Sequence, residues 1–114
     1  MFSKNVSFEE CSQLILGNYS EEYEKVCCKM QYIFIEYNIV GLNEIKEQYV
    51  KNVIMYVALS TMTAQIHSAS KFDYNIYFEI FYSWINNDKE IICQIKNDIN
   101  DEKIRIEKKS GGYN

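Results

Sequence analysis

The chain contains no proline in its 114 residues and only four glycines, two of which, Gly111 and Gly112, lie near its C-terminus. Proline and glycine form many of the tight turns that connect short strands. Their scarcity favours long helices over a fold of many strands. At this length we predict a single helical domain, residues 1–114, with one hydrophobic core.

Two helices are predicted in the first third of the chain. Ser7 and Glu10 have the spacing of a capping box, and Gly17 is expected to end the first helix in a left-handed conformation. Ser20 is expected to cap the second helix, which stops near residues 38–41. The second helix has an apolar stripe at helical spacing, formed by Tyr23, Val26, Cys27, Met30, Ile33, Phe34, Tyr37 and Val40. Its opposite, polar stripe consists of Glu22, Lys25, Lys29, Tyr32 and Glu36.

A third helix is predicted from near Asn43 to about Ser68. No charged residue occurs between Asn52 and Ser70, and small side chains in this half allow another helix to approach closely. We therefore expect this half inside the bundle or against a partner, with a strand over residues 53–59 as the alternative. The same apolar run is too short to cross a membrane, which takes about twenty residues. The predicted seam is Leu42, Ile45, Tyr49, Val53 and Tyr56, flanked by Val50, Ile54 and Val57.

The densest aromatic stretch is DYNIYFEIFYSWIN, residues 73–86, in which six of fourteen residues are aromatic. Asp73 is a good N-cap residue for a helix, and Phe72 and Tyr77 are placed to form a hydrophobic staple. This helix is apolar around most of its girth, which is typical of a central helix. Its narrow polar stripe consists of Asn75, Glu79, Tyr82 and Asn86.

The last helix is predicted to begin near Asp88. Its apolar face consists of Ile91, Ile92, Ile95 and Ile99, with Cys93 alongside. Residues 102–109 alternate isoleucine with charge, which fits either a frayed helix end or a short strand, and residues 110–114 are expected to be a flexible tail. The whole pattern predicts an all-α fold, an antiparallel bundle of four to five helices.

The net charge of −4 argues against nucleic-acid binding, which usually requires a basic face. The charge is uneven, because residues 1–49 hold eight acidic and four basic side chains. Two interpretations remain open. Acidic residues in the first turns of helices complement the helix dipole, and an acidic surface attracts a basic partner.

The four cysteines are predicted to be reduced thiols of a cytoplasmic protein, because we find no N-terminal signal peptide. They form no CxxC motif, and His67 is the only histidine, so no metal site is expected. Cys27 and Cys93 fit apolar stripes, Cys11 is predicted on the apolar face of the first helix, and Cys28 is adjacent to Cys27.

No motif of a phosphate-binding loop, hydrolase or zinc enzyme is present. A catalytic triad would depend on His67, which lacks a neighbouring acid to orient it. Adjacent carboxylates do not share a helix face. We therefore predict no catalytic residue, no cofactor and no enzymatic activity.

The leading functional hypothesis is a cytoplasmic protein-binding module. Its most concrete form is an immunity or antitoxin-type inhibitor, which neutralises a toxic partner, such as a basic nuclease, by direct binding. The abundance of Ile, Asn, Lys, Tyr and Glu fits an AT-rich gene, such as one from a mobile element. The residues expected to contact the partner are Glu9, Glu10, Glu21, Glu22, Glu24, Lys25, Tyr32, Glu36 and Tyr82.

Two alternatives remain open. One is a homo-oligomeric structural or regulatory protein of a phage, virus or mobile element, because residues 52–86 hold only three charged side chains and therefore much apolar surface. The other is a small ligand-binding bundle or enzyme with an aromatic pocket, formed by Tyr74, Tyr77, Phe78, Phe81 and Trp84.

Overall fold

The computed structural model describes residues 7–69 and 71–110, and these residues confirm the predicted all-α bundle. Five α-helices account for most of them, and no strand occurs in the part of the chain that is described. A short 3₁₀ helix, Glu44–Lys46, lies between the second and third helices. The α-helices are α1 (Phe8–Asn18), α2 (Ser20–Glu36), α3 (Gln48–Ala69), α4 (Tyr74–Asn87) and α5 (Lys89–Ser110).

The start of α1 confirms the predicted capping box. The Glu10 amide donates to Ser7 Oγ at 3.1 Å, and the Ser7 amide donates to Glu10 Oε1 at 3.3 Å. The predicted end at Gly17 is wrong, because α1 continues through Asn18. The predicted cap at Ser20 is also wrong, because Ser20 is already helical and Tyr19 precedes it.

Tyr19 alone separates α1 from α2. Its amide donates to the Ile15 carbonyl at 2.7 Å, and its carbonyl accepts from the Tyr23 amide at 2.8 Å. One residue therefore closes the last turn of α1 and opens the first turn of α2. No left-handed glycine is needed at this junction.

The segment between α2 and α3 is longer than predicted. After α2 ends at Glu36, Asn38 adopts a left-handed conformation with φ of 56°, which asparagine tolerates better than most residues. Extended backbone at Glu47 then separates the 3₁₀ helix from α3. The predicted start of a continuous helix at Asn43 is therefore wrong.

This break changes which residues of α3 face inward. The predicted seam is wrong at Leu42, which precedes the break and is 70% exposed, and at Tyr56, which is 58% exposed. The inward face of α3 is instead centred on Val50, Ile54 and Ala58, which are all buried.

The central helix of the bundle is α3, which packs against α1, α2, α4, α5 and the 3₁₀ helix. Its second half is buried nearly all round, including Ser60, Thr61 and Thr63. The two threonine hydroxyls donate to carbonyls four residues earlier in the helix, at 2.9 and 2.8 Å. This arrangement satisfies polar groups inside the core while keeping the side chains small enough for close packing.

The prediction that the aromatic helix α4 is central is wrong. It packs against α3 and α5 and leaves Tyr74 and Ile76 partly exposed on its outer side. Its predicted cap is confirmed, because Asp73 Oδ1 accepts from the amides of Asn75 at 2.8 Å and Ile76 at 3.3 Å. The rings of Phe72 and Tyr77 also meet, with centroids 5.9 Å apart.

Helix α5 extends without interruption to Ser110. The strand alternative for residues 102–109 is therefore wrong, and residues 111–114 of the predicted tail lie outside the described residues. Asn52 of α3 donates to Glu102 of α5 at 2.6 Å, while Tyr56 and Asp98 line the same cavities. Residue numbers rise along α3 as they fall along α5, so these two helices are antiparallel.

Only some of the four cysteines lie in or near the core. All four are free thiols, with Cys11 buried, Cys27 half-buried and Cys28 and Cys93 exposed. The prediction that Cys93 packs alongside the apolar face of α5 is wrong. The inward face of α5 is formed by Ile95 and Ile99, and Cys93 lies outside it. Burial raises the pKa of the Cys11 thiol and raises that of Cys27 to about 11, so neither is a ready nucleophile.

Candidate functional site

The outward face of α2 is the surface on which most of the predicted contact residues meet. At about 100° per residue, positions 21, 24, 25, 28, 32 and 36 fall on one side of the helix, opposite the buried Val26, Met30 and Phe34. We call this surface the α2 outer face. The residues that form it are all exposed: Glu21, Glu24, Lys25, Cys28, Tyr32 and Glu36.

Tyr32 is the most prominent side chain of the α2 outer face. It is 70% exposed, as much as any other large hydrophobic side chain in the described chain. Together with Lys25, Cys28 and Lys29 it forms a shallow depression with a largely apolar lining. A tyrosine of this kind offers large contact area together with a polar tip, which is why tyrosines are common in protein interfaces.

The structure also brings part of α4 to the end of this surface. The Lys29 ammonium lies 4.5 Å from the centre of the Phe78 ring, and the rings of Tyr37 and Tyr82 have centroids 6.0 Å apart. The pKa of Tyr82 is raised by its burial and by the nearby Glu36 carboxylate. Tyr82 is therefore close to Glu36, as a shared surface requires. It is half-buried, however, and not on an open polar stripe.

The remaining predicted contact residues are less well placed. Glu9 and Glu10 are exposed but lie in the first turn of α1, at the opposite end of that helix from the junction with α2. Glu10 is also committed to the capping box. Glu22 is half-buried, because it lies at the border between the outer face and the core side of α2.

The excess negative charge of the molecule is concentrated on α1 and α2. Residues 7–36 contain six carboxylates and two lysines, and the rest of the chain contains ten acidic and ten basic side chains. The whole net charge of −4 thus originates in these two helices. Such a distribution creates a local negative potential that attracts positively charged partners.

A cavity of about 310 Å³ lies between α3, α4 and α5. Phe81 and Trp84 of the predicted aromatic pocket line it, but the other three aromatic residues lie elsewhere. Tyr77 is fully buried and its hydroxyl donates to the Ala58 carbonyl at 3.4 Å, while Phe78 packs under Lys29. Ser60, Asp88 and Asp98 also line the cavity. The sequence did not indicate them, because the packing of α3 against α5 brings Ser60 near the two aspartates.

The described residues contain no group of three or more histidine, cysteine or acidic side chains that could hold a metal ion. His67 is exposed in the last turn of α3. Among the described helices, none has the length and apolarity required to cross a membrane. No family model, curated protein or solved structure matches this chain.

A polar cluster of Asn52, Glu102 and Arg105 joins α3 to α5. Glu102 accepts hydrogen bonds from Arg105, one turn further along α5, and from Asn52 of α3. These two partners lower the pKa of the Glu102 carboxyl to about 2 from its ordinary value of 4.5. The spacing of Glu102 and Arg105 is visible in the sequence, but the contact with Asn52 depends on how the helices pack.

We expect Glu102→Gln to destabilise the fold by about 1 kcal/mol at pH 7. A lowered pKa means that the ionised carboxylate is favoured in the folded chain. Its contribution is therefore fully present above pH 4.5 and is lost as the pH falls towards 2. The measurement is urea unfolding of the unmodified protein and of Glu102→Gln at pH 7 and pH 3. The difference in free energy of unfolding between the two proteins should be smaller at pH 3. Glu107→Gln, an exposed substitution on the same helix, should show no such pH-dependent difference.

Proposed function

We propose that this chain is a protein-binding module that holds its partner on the α2 outer face. The observation that carries this proposal is the exposure of Tyr32 at the centre of a helix face that the core leaves free. Protein interfaces commonly use a tyrosine anchor surrounded by polar residues. The acidic side chains beside Tyr32 and the half-buried Tyr82 at its end would form such a rim.

The charge distribution favours a basic partner. Because the net negative charge of the chain originates in α1 and α2, a positively charged protein would be steered towards this side of the bundle. The most concrete version is an immunity-type inhibitor that acts in the cytoplasm by covering a toxic basic protein, such as a nuclease. In this function the chain performs no reaction of its own.

A homo-oligomer has no comparable observation in its favour. In residues 52–86 most large apolar side chains are packed inside the chain, and those that are exposed lie on different helices: Met55 and Tyr56 on α3, and Tyr74 and Ile76 on α4.

The proposal predicts that Tyr32→Ala and the double charge reversal Glu21→Lys, Glu24→Lys each weaken partner binding at least tenfold. Tyrosine anchors commonly contribute about 2 kcal/mol or more, and each 1.4 kcal/mol is about tenfold. The experiment is affinity capture of the tagged full chain from its source cells, followed by calorimetry with the purified partner. Growth protection against that partner tests the inhibitor version.

A matched control is the double variant Glu79→Lys, Glu107→Lys, which changes the net charge equally but on α4 and α5. If this control weakened binding as much as the reversal on α2, general charge and not the α2 outer face would explain recognition. Unchanged affinity for Tyr32→Ala would overturn the assignment of the surface. Capture of only a second copy of the chain would overturn the function in favour of a homo-oligomer.

A further inference from the structure

A cavity of about 410 Å³ lies where α5 passes the segment that connects α2 to α3. Its apolar lining residues are the buried Ile39, Val40 and Ile99 and the half-buried Tyr49. The volume is within the range of small-molecule sites, about 300–1,000 Å³. The polar side chains that line the cavity are all exposed at its rim: Asn38, Glu44, Lys96, Asn100 and Lys103.

The connecting segment forms one wall of this cavity, and hydrogen bonds hold that wall in place. The amides of Ile39 and Val40 both donate to the Phe34 carbonyl, at 2.8 and 3.3 Å. The Glu44 amide donates to the Gly41 carbonyl at 3.2 Å. A wall fixed in this way needs little ordering when a ligand binds, which favours affinity.

The opposite wall is one side of α5, and it is positively charged. At about 100° per residue, Lys96, Asn100 and Lys103 fall within about 60° of one another around the helix. Asp98 and Asp101 lie on the other side of α5, where they line a separate cavity. Along this stretch α5 therefore turns its lysines towards the connecting segment and its aspartates away from it.

Both lysines are free to bind a ligand. Within the part of the chain that the structure describes, the only ion pair joins Arg105 to Glu102. Glu44 lines the same cavity as the lysines but pairs with neither. The cavity-lining side chains without a hydrogen-bond or ion-pair partner among the described residues are Asn38, Glu44, Tyr49, Lys96, Asn100 and Lys103.

We propose that this cavity binds a sugar phosphate, a phosphate monoester on a sugar that retains free hydroxyl groups. Lys96 and Lys103 would bind the phosphate together, with Asn100 donating between them. The two lysines are seven residues apart, which is about 10 Å along α5. Each ammonium ends a flexible side chain of five bonds of about 1.5 Å, so both can converge on one phosphate through charge-assisted hydrogen bonds.

Glu44 determines what the rest of the ligand must be. Its carboxylate would repel a second anionic group, whereas carboxylates accept hydrogen bonds well from sugar hydroxyls, as they do from ribose in dinucleotide-binding folds. Glu44 belongs to the connecting segment, across the cavity from the lysines of α5. The apolar lining between them suits the carbon skeleton of the sugar. The cavity thus offers cations on one side and a hydroxyl acceptor on the other.

The site shares no residue with the α2 outer face, so it is tested independently of the proposed function. Gly41 lines the cavity and is one of only four glycines in the chain, which makes its amide signal a convenient reporter. The ¹⁵N-labelled full chain is titrated with ribose 5-phosphate at physiological ionic strength, and calorimetry gives the affinity. The matched probes are ribose, inorganic phosphate and adenosine monophosphate.

We expect ribose 5-phosphate to shift the Gly41 signal saturably with one site per chain. Inorganic phosphate should bind at least fivefold more weakly, and ribose should not bind. Adenosine monophosphate identifies the source of the sugar phosphate. Tighter binding than ribose 5-phosphate would indicate a nucleotide and weaker binding a free sugar phosphate, and both contain the proposed chemistry.

Lys96→Gln and Lys103→Gln should each weaken the binding of ribose 5-phosphate about tenfold, because each removes a charge-assisted hydrogen bond. Glu44→Gln should weaken the binding of ribose 5-phosphate but not that of inorganic phosphate, since the carboxylate contacts only the hydroxyls. All three side chains are exposed, so these substitutions should leave the fold intact.

Lys89→Gln is the control, because it removes the same charge from the same side of α5, seven residues before Lys96 and outside the cavity. If it weakened binding as much as Lys96→Gln, the phosphate would be responding to net charge, and the site would be refuted. The proposal would equally be overturned by a Gly41 signal that does not move, or by equal affinities for ribose 5-phosphate and inorganic phosphate.

Discussion

Phe34→Ala is expected to lower the free energy of unfolding by about 3–5 kcal/mol. Phe34 is fully buried on the inner side of α2, where it belongs to the core formed with α3. Truncating such a ring removes its burial and leaves a cavity that the surrounding helices fill only in part. Domains of this size are commonly stable by about 5–15 kcal/mol, so this single change is a large fraction of the total.

Tyr32→Ala is the matched control for this prediction, because Tyr32 lies two residues away on the same helix and faces the solvent. Its free energy of unfolding should remain within about 0.5 kcal/mol of the unmodified protein. Urea unfolding followed by circular dichroism measures both variants. An equal decrease in the free energy of unfolding for the two variants would contradict the orientation of α2, in which Phe34 faces the core and Tyr32 faces the solvent. The pair also separates folding from binding, because only Tyr32→Ala should impair the partner complex while leaving the fold intact.

Gln65→Met is expected to destabilise the protein by about 2–5 kcal/mol. Gln65 is fully buried, its Nε2 donates to the Lys71 carbonyl at 3.0 Å, and its Oε1 accepts from the Asp73 amide at 3.2 Å. One side chain thus fastens both ends of the connection between α3 and α4. Methionine keeps the approximate shape but removes both bonds, and each backbone group left without a partner costs about 1–3 kcal/mol.

The control for this second prediction is Gln94→Met on the exposed side of α5. Gln94 bonds only to Asp98 one turn away, so its loss should cost less than about 1 kcal/mol. Amide hydrogen exchange adds a local measurement, because Gln65→Met should speed exchange at the start of α4. A stability change no larger than that of Gln94→Met would show that the two backbone groups find other partners.

Local signals in the sequence predicted the helix starts at Ser7 and Asp73 correctly, because each cap involves side chains and backbone within a few residues. The junction at Tyr19 and the break before α3 were not predictable in this way. Both depend on where α1, α2 and the 3₁₀ helix pack, and the intrinsic preferences of Gly17 or Ser20 are too weak to oppose that packing.

Which helix is central was also not predictable from the sequence alone. Both α3 and α4 have long apolar faces, so periodicity alone did not distinguish them. A helix enclosed by four others requires small side chains, and Ala58, Ser60 and Thr61 provide them on α3. The large rings of α4 suit a position at the side of the bundle, where they reach inward from one direction.

The candidate surfaces were predictable only where they belong to one helix. The exposure of Tyr32 follows from the spacing of apolar residues along α2. The partial burial of Tyr82 on α4 depends on its contact with Tyr37, which follows α2. The cavity between α3, α4 and α5 was not predictable, because its lining comes from three helices and depends on how they pack.

The position of α3 in the middle of both the bundle and the sequence determines how this molecule can open. Each of the other four α-helices can separate from the bundle by giving up its own contacts, so each has a local route to solvent exchange. The amides in the second half of α3 up to Ile66, where the side chains are buried nearly all round, have no such route until several neighbouring helices leave. Their exchange rate therefore reports the cooperative unfolding of the entire domain, while the outer helices report only their own detachment.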